Sequence, residues 1–369
     1  MGLKVKNHPE SEELMEINFW DKSRLRKAFN EGPQRAVENR EIPVPRPNEV
    51  LLKVHYVGIC GSDIHLWKKG GFGDFLVKEN IVLGHETSGV VIKTGDKVKH
   101  LKPGDKVCVE PGVPCSKCEF CKKGRYNLCP TTRYDDPTAE FGSLCRYYCQ
   151  DADYCFKLPD NVSLEEGALI EPLSVAVYAC RRAEVSAGKT ILICGAGPIG
   201  LMNLLTCKAM GASKICMTDI SDERLVTAKK LGAICGMNVK NIDSEQTMEC
   251  IHKCLGGPPD ITMECSGAES SINFGLKVTK PGGVLLMVGV GPPRISLNLV
   301  DSSFREVDIR GVYRYVNCFP VALELVSSGA IDLKTLITHR YKLEDALKAF
   351  ETFLTAKDGA IKVLIKCSK

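Results

Sequence analysis

The chain has 369 residues, of which 44% are hydrophobic and 25% charged, and its formal net charge is +4. This composition excludes disordered, collagen-like and coiled-coil proteins, and the length predicts two or three domains. The weak, dispersed charge argues against a nucleic-acid partner, and no apolar stretch approaches the roughly 20 residues of a membrane span. The N-terminal residues show no secretory signal pattern, so we expect a cytoplasmic protein.

The first half of the chain has the pattern of an antiparallel β domain. Short strand-like runs are separated by glycine, proline and aspartate clusters from residue 49 to about residue 156. This spacing is typical of an all-β barrel or sandwich. The predicted strands cover residues 50–57, 87–93, 106–109 and 143–148.

From residue 190 onwards, strands and helices alternate. Strands are predicted at 190–194, 214–218, 260–265 and 283–288, and helices at 198–210, 221–231 and 269–278. Such alternation predicts a doubly wound parallel sheet with helices on both faces. We therefore assign residues 1–171 to the first domain and 172–311 to the second. Residues 312–369, with helices at 319–328 and 343–354 and a strand at 360–366, are expected to return to the first domain.

A glycine-rich turn, Gly195-Ala196-Gly197-Pro198-Ile199-Gly200, follows the first strand of the second domain. In G-x-G-x-x-G the glycines allow a tight turn, close approach to a pyrophosphate and close packing of the helix on the strand. Asp219 follows after about 20 residues, where a carboxylate accepts the ribose hydroxyls of a dinucleotide. Because that carboxylate would repel a 2′-phosphate, NAD is predicted rather than NADP. Arg224 has either a role at the adenosine edge or a solvated position on its helix.

Nineteen cysteines are unusual for a chain of this length. Four of them, Cys115, Cys118, Cys121 and Cys129, lie within one loop between about residues 112 and 130. A tetrahedral Cys₄ zinc site needs such a local supply of thiolates, and full coordination leaves no open position for chemistry. The loop therefore predicts a structural zinc site. The other reading of this cluster, a zinc-ribbon binding module, lacks a second pair of knuckles and a basic face.

A second set of potential metal ligands is dispersed: Cys60, and the adjacent His85 and Glu86. One thiolate, one imidazole and one carboxylate would make an open zinc site with a free position for water or substrate. Spacing alone supports this weakly, because a cysteine and a histidine 25 residues apart are more often ordinary core and surface residues.

The order of these motifs resembles that of the zinc-dependent medium-chain alcohol dehydrogenases. The resemblance runs from about residue 42 through Cys60-Gly61-Ser62-Asp63-Ile64-His65, the segment that begins at Gly84-His85-Glu86, the Cys₄ loop and the glycine-rich turn. Glu171-Pro172-Leu173-Ser174-Val175 and Arg305-Glu306-Val307-Asp308-Ile309 are similar to the polyol branch of that family. The resemblance implies a GroES-like antiparallel β catalytic domain and a Rossmann nucleotide-binding domain.

The resemblance also implies the roles of individual residues. Cys60, His85 and Glu86 would hold a catalytic zinc, and Glu171 would bind it directly or through water. Ser62 would contact the reacting oxygen and His65 would pass its proton towards solvent. The NAD site would be formed by Gly195, Gly197, Pro198, Ile199, Gly200, Asp219, Arg224, Val288, Gly289, Val290, Val312, Tyr313 and Arg314. Substrate contacts would come from Leu66, Glu171, Arg314 and Tyr315.

The implied activity is oxidation of a secondary hydroxyl of a polyol to a ketose, with NAD and with one catalytic and one structural zinc per chain. A 2,3-butanediol or threonine dehydrogenase on the same scaffold is one alternative, and a non-catalytic crystallin-like nucleotide-binding protein is another. Leu66 stands where polyol dehydrogenases often have an aromatic residue, which leaves the choice of polyol open. The family also implies a homotetramer, or a dimer, formed by edge-to-edge sheet extension through residues 283–288.

Overall fold

The computed structural model describes residues 14–18, 36–72, 75–76, 81–133, 142–241 and 243–369. It contains a mostly antiparallel sheet, whose strands come from both sides of residue 171, and a parallel sheet formed within residues 190–311. The strands are β1 (Leu14–Asn18), β2 (Ala36–Arg40), β3 (Glu49–Gly58), β4 (Gly71–Phe72), β5 (Phe75–Leu76), β6 (Glu86–Thr94), β7 (Lys106–Val109), β8 (Tyr147–Asp151), β9 (Cys155–Lys157), β10 (Thr190–Cys194), β11 (Lys214–Asp219), β12 (Cys235–Asn238), β13 (Ile261–Glu264), β14 (Val284–Met287), β15 (Asp308–Gly311), β16 (Ile337–Lys342) and β17 (Lys362–Lys366).

The helices connect these strands and cover the parallel sheet. They are α1 (Gly61–Lys69), α2 (Glu119–Lys122), α3 (Leu164–Ala168), α4 (Ile170–Arg182), α5 (Pro198–Ala209), α6 (Asp222–Leu231), α7 (Ser244–Leu255), α8 (Glu269–Val278), α9 (Leu299–Phe304), α10 (Phe319–Ser327) and α11 (Ala346–Thr355). Among the described residues, none of the helices has both the length and the apolarity that a membrane span requires.

The first sheet is organised around β3, which pairs in antiparallel fashion with β6, β8 and β17. Alternate residues of β3, including Val50, Leu52 and Val54, are fully buried and form the core of this domain. Because β17 lies next to β3, the last residues of the chain belong to the same sheet as β3 and β6.

The strand predicted at residues 143–148 is wrong in position, since β8 begins only at Tyr147. The backbone N–H groups of Ser143 and Leu144 donate to the carbonyl oxygens of Gly84 and Leu83 instead. These residues support the turn that precedes His85, so the chain joins the sheet four residues later than predicted.

The second sheet confirms the predicted doubly wound arrangement. Its strand order is β12-β11-β10-β13-β14-β15, and all five pairings are parallel. The expectation that copies assemble through residues 283–288 is wrong, because β14 lies between β13 and β15 and has no free edge. The strand at this edge of the sheet is β15, where Ile309 is 41% exposed.

Candidate active site

Three potential metal ligands converge between the two sheets. Cys60 directly precedes α1, while His85 and Glu86 lie at the start of β6, which pairs with β3. One ligand atom from each of the three side chains lies within 4.8 Å of the others. A thiolate, an imidazole and a carboxylate are the donors that zinc prefers, and three protein ligands leave a coordination position open.

His85 is oriented by neighbouring polar groups. Its Nδ1 lies 3.3 Å from Oδ1 of Asp63, and its Nε2 lies 3.4 Å from the Ser62 hydroxyl oxygen. The Asp63 carboxylate also accepts the backbone N–H groups of Cys60 and Gly84 at 3.0 and 3.1 Å. This carboxylate therefore ties the two ligand segments together, as carboxylates behind metal-binding histidines commonly do.

Glu86 is held by a buried lysine from the end of the chain. The Nζ atom of Lys362 on β17 donates to Oε2 of Glu86 and, at 3.0 Å, to the carbonyl oxygen of Ile59. Both side chains are almost fully buried. Burial raises the pKa of Glu86 to about 7 although Lys362 opposes the rise. Gly58 makes room for the carboxylate, because a Cβ atom there would lie 2.1 Å from Oε2.

Glu171 lies in the first turn of α4 and is buried. Its Oε1 accepts the hydroxyl of Tyr315 at 2.8 Å, and burial raises the pKa of its carboxyl group. Glu171 lines the same cavity as the three metal ligands, but it is not part of their cluster.

The cavity beside the metal ligands has a volume of about 220 Å³. Most of the residues predicted for the catalytic and nicotinamide ends of the site line it. Two predicted residues, His65 and Leu66, do not belong to the cavity wall formed by the described residues. The side chain of Leu66 packs instead against the core of the first domain. The predicted residues that do line the cavity are Cys60, Ser62, His85, Glu86, Glu171, Ile199, Val288, Val290, Val312, Tyr313, Arg314 and Tyr315.

A second cavity, of about 620 Å³, lies at the carboxyl ends of β10 and β11. It is lined by Gly195, Gly197, Asp219 and Arg224. Asp219 accepts the N–H groups of Ala196 and Ser221 at 2.6 and 2.9 Å, which fixes its carboxylate beside the glycine-rich turn.

The other glycines of this region allow close packing of the backbone. A Cβ atom at Gly200 would lie 1.8 Å from the carbonyl oxygen of Gly195, and one at Gly289 would lie 2.3 Å from the amide nitrogen of Gly267. Pro198 is the first residue of α5, where its fixed backbone conformation suits a helix start. The glycine-rich turn thus has the form that a bound pyrophosphate requires.

The four cysteines of the loop also converge. The sulfur atoms of Cys115, Cys118, Cys121 and Cys129 lie within 4.8 Å of one another, which fits a tetrahedral Cys₄ zinc site. Backbone N–H groups of Lys117 and Cys118 donate to the sulfur of Cys115 and lower the pKa of its thiol to about 6.

This cysteine lobe contacts the active-site cavity. The 3₁₀ turn at Tyr126–Leu128, between Cys121 and Cys129, contributes Tyr126 and Asn127 to the cavity wall. Asn127 donates to the carbonyl oxygen of Tyr313 at 2.8 Å, and the Tyr126 hydroxyl donates to Oε1 of Glu110 at the same distance. The lobe therefore helps to shape the cavity.

Sequence reasoning missed Asp63, Glu110, Tyr126 and Lys362. One signal was available for Lys362, which is the one charged residue within the apolar run at residues 360–365. Asp63 lies in the first turn of α1, Tyr126 in a 3₁₀ turn and Glu110 in the loop after β7, and only the tertiary contacts distinguish them from ordinary surface residues.

Comparison with known proteins agrees with this arrangement. The model of the alcohol dehydrogenase GroES-like domain matches residues 46–160, and that of the zinc-binding dehydrogenase family matches residues 198–328. The chain is 51% identical to the sorbitol dehydrogenase of Gallus gallus over 331 residues, which are 90% of this chain and 93% of that protein.

Solved structures show the same fold over nearly the whole chain. An Escherichia coli oxidoreductase of unknown specificity superposes with a TM-score of 0.87 at 37% identity, covering 97% of this chain and 100% of the other. The 2R,3R-butanediol dehydrogenase of Bacillus subtilis superposes with a TM-score of 0.82 at 28% identity, covering 96% and 99%.

The chain belongs to the zinc-dependent medium-chain dehydrogenases, with a GroES-like domain and a Rossmann-like domain. It is an oxidoreductase whose cofactors are zinc and NAD. The non-catalytic alternative is not supported, because the three ligands of an open zinc site are all present and lie together.

Proposed function

We propose that the protein oxidises a secondary hydroxyl of a polyol, such as sorbitol or xylitol, to the ketose with reduction of NAD. The observation that carries this proposal is the open metal-ligand set of Cys60, His85 and Glu86 beside a cavity rich in buried carboxylates and hydroxyls. About 50% identity to sorbitol dehydrogenases over most of the chain supports the choice of substrate class.

Zinc held by these three residues would act as a Lewis acid that favours ionisation of the substrate hydroxyl. Ser62 lines the cavity and contacts His85, so its hydroxyl is placed to accept the proton from the reacting oxygen. His65 lies three residues further along α1 on the same side of the helix. Burial and, to a smaller extent, Lys69 lower the pKa of His65, which favours the neutral form of the imidazole, the form that can receive a proton.

Glu171 would act on the metal through a water or a substrate hydroxyl rather than as a direct ligand, since it lies outside the ligand cluster and is held by Tyr315. Arg314 and Tyr315 would contact the substrate from the same side of the cavity. The apolar side chains of Ile199, Val288 and Val312 would face the nicotinamide ring. The adenosine end of NAD would occupy the cavity beside Asp219 and Arg224.

We further propose one zinc in each of the two ligand clusters. None of the nineteen cysteines forms a disulfide, which supports a reducing compartment and hence a cytoplasmic location. We propose a homotetramer in which β15 pairs with β15 of a second copy. The adjacent surface exposes large apolar side chains, among them Val300 (67% exposed) and Phe304 (86% exposed). Molar mass from light scattering, with Phe304→Asp as the variant expected to dissociate the assembly, tests this arrangement.

The activity is tested by measuring NAD reduction on metal-loaded enzyme with D-sorbitol, xylitol, L-arabinitol, 2,3-butanediol and L-threonine, with NADP in parallel. We expect a preference for polyols and for NAD. Activity on butanediol or threonine alone would contradict the proposed substrate class while leaving the family unchanged.

The role of the metal cluster is tested with Cys60→Ser. This variant should lose turnover but still bind NADH, because Cys60 lies outside the adenosine cavity. Cys250→Ser is the matched control, since Cys250 is exposed on α7. Normal turnover by Cys60→Ser would contradict the zinc assignment.

A further inference from the structure

Glu110 is a buried carboxylate in the wall of the active-site cavity, and the reaction proposed above gives it no role. Only 3% of the residue is exposed. It belongs to the loop that follows β7, and it lines the cavity together with the three metal ligands. A buried carboxylate lowers the stability of the fold unless its oxygens are hydrogen-bonded, so the presence of Glu110 in the cavity wall requires an explanation.

The two oxygens of Glu110 have different surroundings. Oε1 accepts the Tyr126 hydroxyl at 2.8 Å. Oε2 has no hydrogen-bond partner among the residues that the structure describes. Burial raises the pKa of Glu110 to about 7, with Tyr126 opposing the rise and Glu171 adding to it.

The backbone around Glu110 fixes where its side chain lies. Its N–H donates to the carbonyl oxygen of Tyr154 at 2.9 Å, and its carbonyl oxygen accepts the Gln150 side chain at 2.7 Å. The Tyr126 hydroxyl that holds Oε1 is itself fixed by the backbone N–H of Asn317 at 2.8 Å. These contacts therefore hold Oε2, which has no partner within the described part of the chain, in place before any substrate enters.

We propose that Glu110 is a specificity-determining residue whose Oε2 accepts a hydrogen bond from a hydroxyl group of the substrate other than the one that reacts. This inference rests on the proposed polyol oxidation and names the residue that selects for additional hydroxyls. A neutral polyhydroxyl chain supplies the missing donor. A simple secondary alcohol leaves the carboxylate unpaired, and an anionic substrate is repelled by it.

The test compares D-sorbitol with 2-butanol, a secondary alcohol without additional hydroxyls, in the zinc-loaded enzyme. Glu110→Met removes both oxygens, and Glu110→Gln keeps an acceptor for Tyr126. Because hydrogen bonds to charged groups are strong, we expect kcat/KM of Glu110→Met for sorbitol, measured above pH 7 where Glu110 is ionised, to fall about 10- to 100-fold. Most of this fall should appear in KM, and kcat/KM for 2-butanol should stay within about twofold. Sorbitol binding to the enzyme–NADH complex, followed by NADH fluorescence, should weaken by a similar factor.

Two further variants separate substrate recognition from a structural role. Glu119→Gln changes an exposed carboxylate of the same lobe and should leave both substrates unaffected. Tyr126→Phe removes the hydrogen bond that holds Oε1 but keeps the carboxylate, so it should weaken sorbitol oxidation selectively but by less than Glu110→Met does.

The inference would be overturned if Glu110→Met lowered kcat/KM equally for sorbitol and 2-butanol. It would also be overturned if Tyr126→Phe lowered kcat/KM for sorbitol selectively and by as much as Glu110→Met does. A wild-type enzyme that oxidises 2-butanol but no polyol would overturn the proposed function, and the inference with it. A wild type that prefers polyols, together with non-selective Glu110 variants, would overturn the inference alone.

Discussion

Lys362 is expected to stabilise the metal-free enzyme by neutralising Glu86. Its ammonium group is buried between the Glu86 carboxylate and the carbonyl oxygen of Ile59. Lys362→Met keeps much of the side-chain volume but removes the charge and both hydrogen bonds. The variant leaves a buried carboxylate without its counter-charge.

The size of the effect follows from this burial. Removing one partner of a buried ion pair costs about 3–5 kcal/mol, and the lost hydrogen bond to Ile59 costs about 1 kcal/mol more. Proton uptake by Glu86 offsets part of this loss. We therefore expect the free energy of unfolding of the metal-free enzyme to fall by about 3 kcal/mol at neutral pH.

The assay is urea denaturation of Lys362→Met and wild type, each with and without zinc. Zinc supplies a second positive charge beside Glu86, so the variant should lose less stability when it is zinc-loaded. Lys348→Met is the matched control. Lys348 forms an exposed ion pair with Asp345 at the start of α11, where solvent screens the charges and the same change should have little effect on stability. A loss in Lys362→Met no larger than in the control, or one that zinc leaves unchanged, would refute the reasoning.

Three further predictions concern the metal clusters. Gly58→Ala should accelerate release of the catalytic zinc to a chelator by about tenfold or more, because the Cβ of the new alanine would displace the Glu86 carboxylate. Gly61→Ala is the control: its Cβ would have open space around it, so this variant should release zinc at the wild-type rate. Asp63→Asn should weaken zinc binding about 10- to 100-fold in competition with a chelator. Burial favours a higher pKa for Asp63, but His85 and the backbone N–H groups of Cys60 and Gly84 outweigh it and hold the pKa below its usual 3.8. The Asp63 carboxylate therefore stabilises the fold above pH 3.8, and this stabilisation is lost as the pH falls through the lower pKa of the folded state. The difference in stability between wild type and Asp63→Asn should therefore narrow in acid, and a constant difference would argue against the assigned pairing. Cys118→Ser should remove one equivalent of zinc per chain by metal analysis and leave the cluster at Cys60 loaded; loss of both metals would contradict two independent sites.

The sequence by itself determined the features that local spacing controls. The Cys₄ loop and the glycine-rich turn each lie within a short segment, where ligand geometry or backbone freedom dictates the residue types. Asp219 was predictable for the same reason, since only the rest of α5 and the strand β11 separate it from Gly200. The alternation of strands and helices likewise predicted the parallel sheet.

Only the tertiary structure decided which distant residues meet. Lys362 and Glu86 are 276 residues apart, and they meet because β17 and β6 both pair with β3. Glu110 differs from a surface carboxylate because the fold buries it and the cysteine lobe brings Tyr126 against it. The strand order likewise decides that β15, and not β14, forms the edge of the parallel sheet. These contacts arise from burial and pairing over long sequence separations, and no local pattern of residue types encodes them.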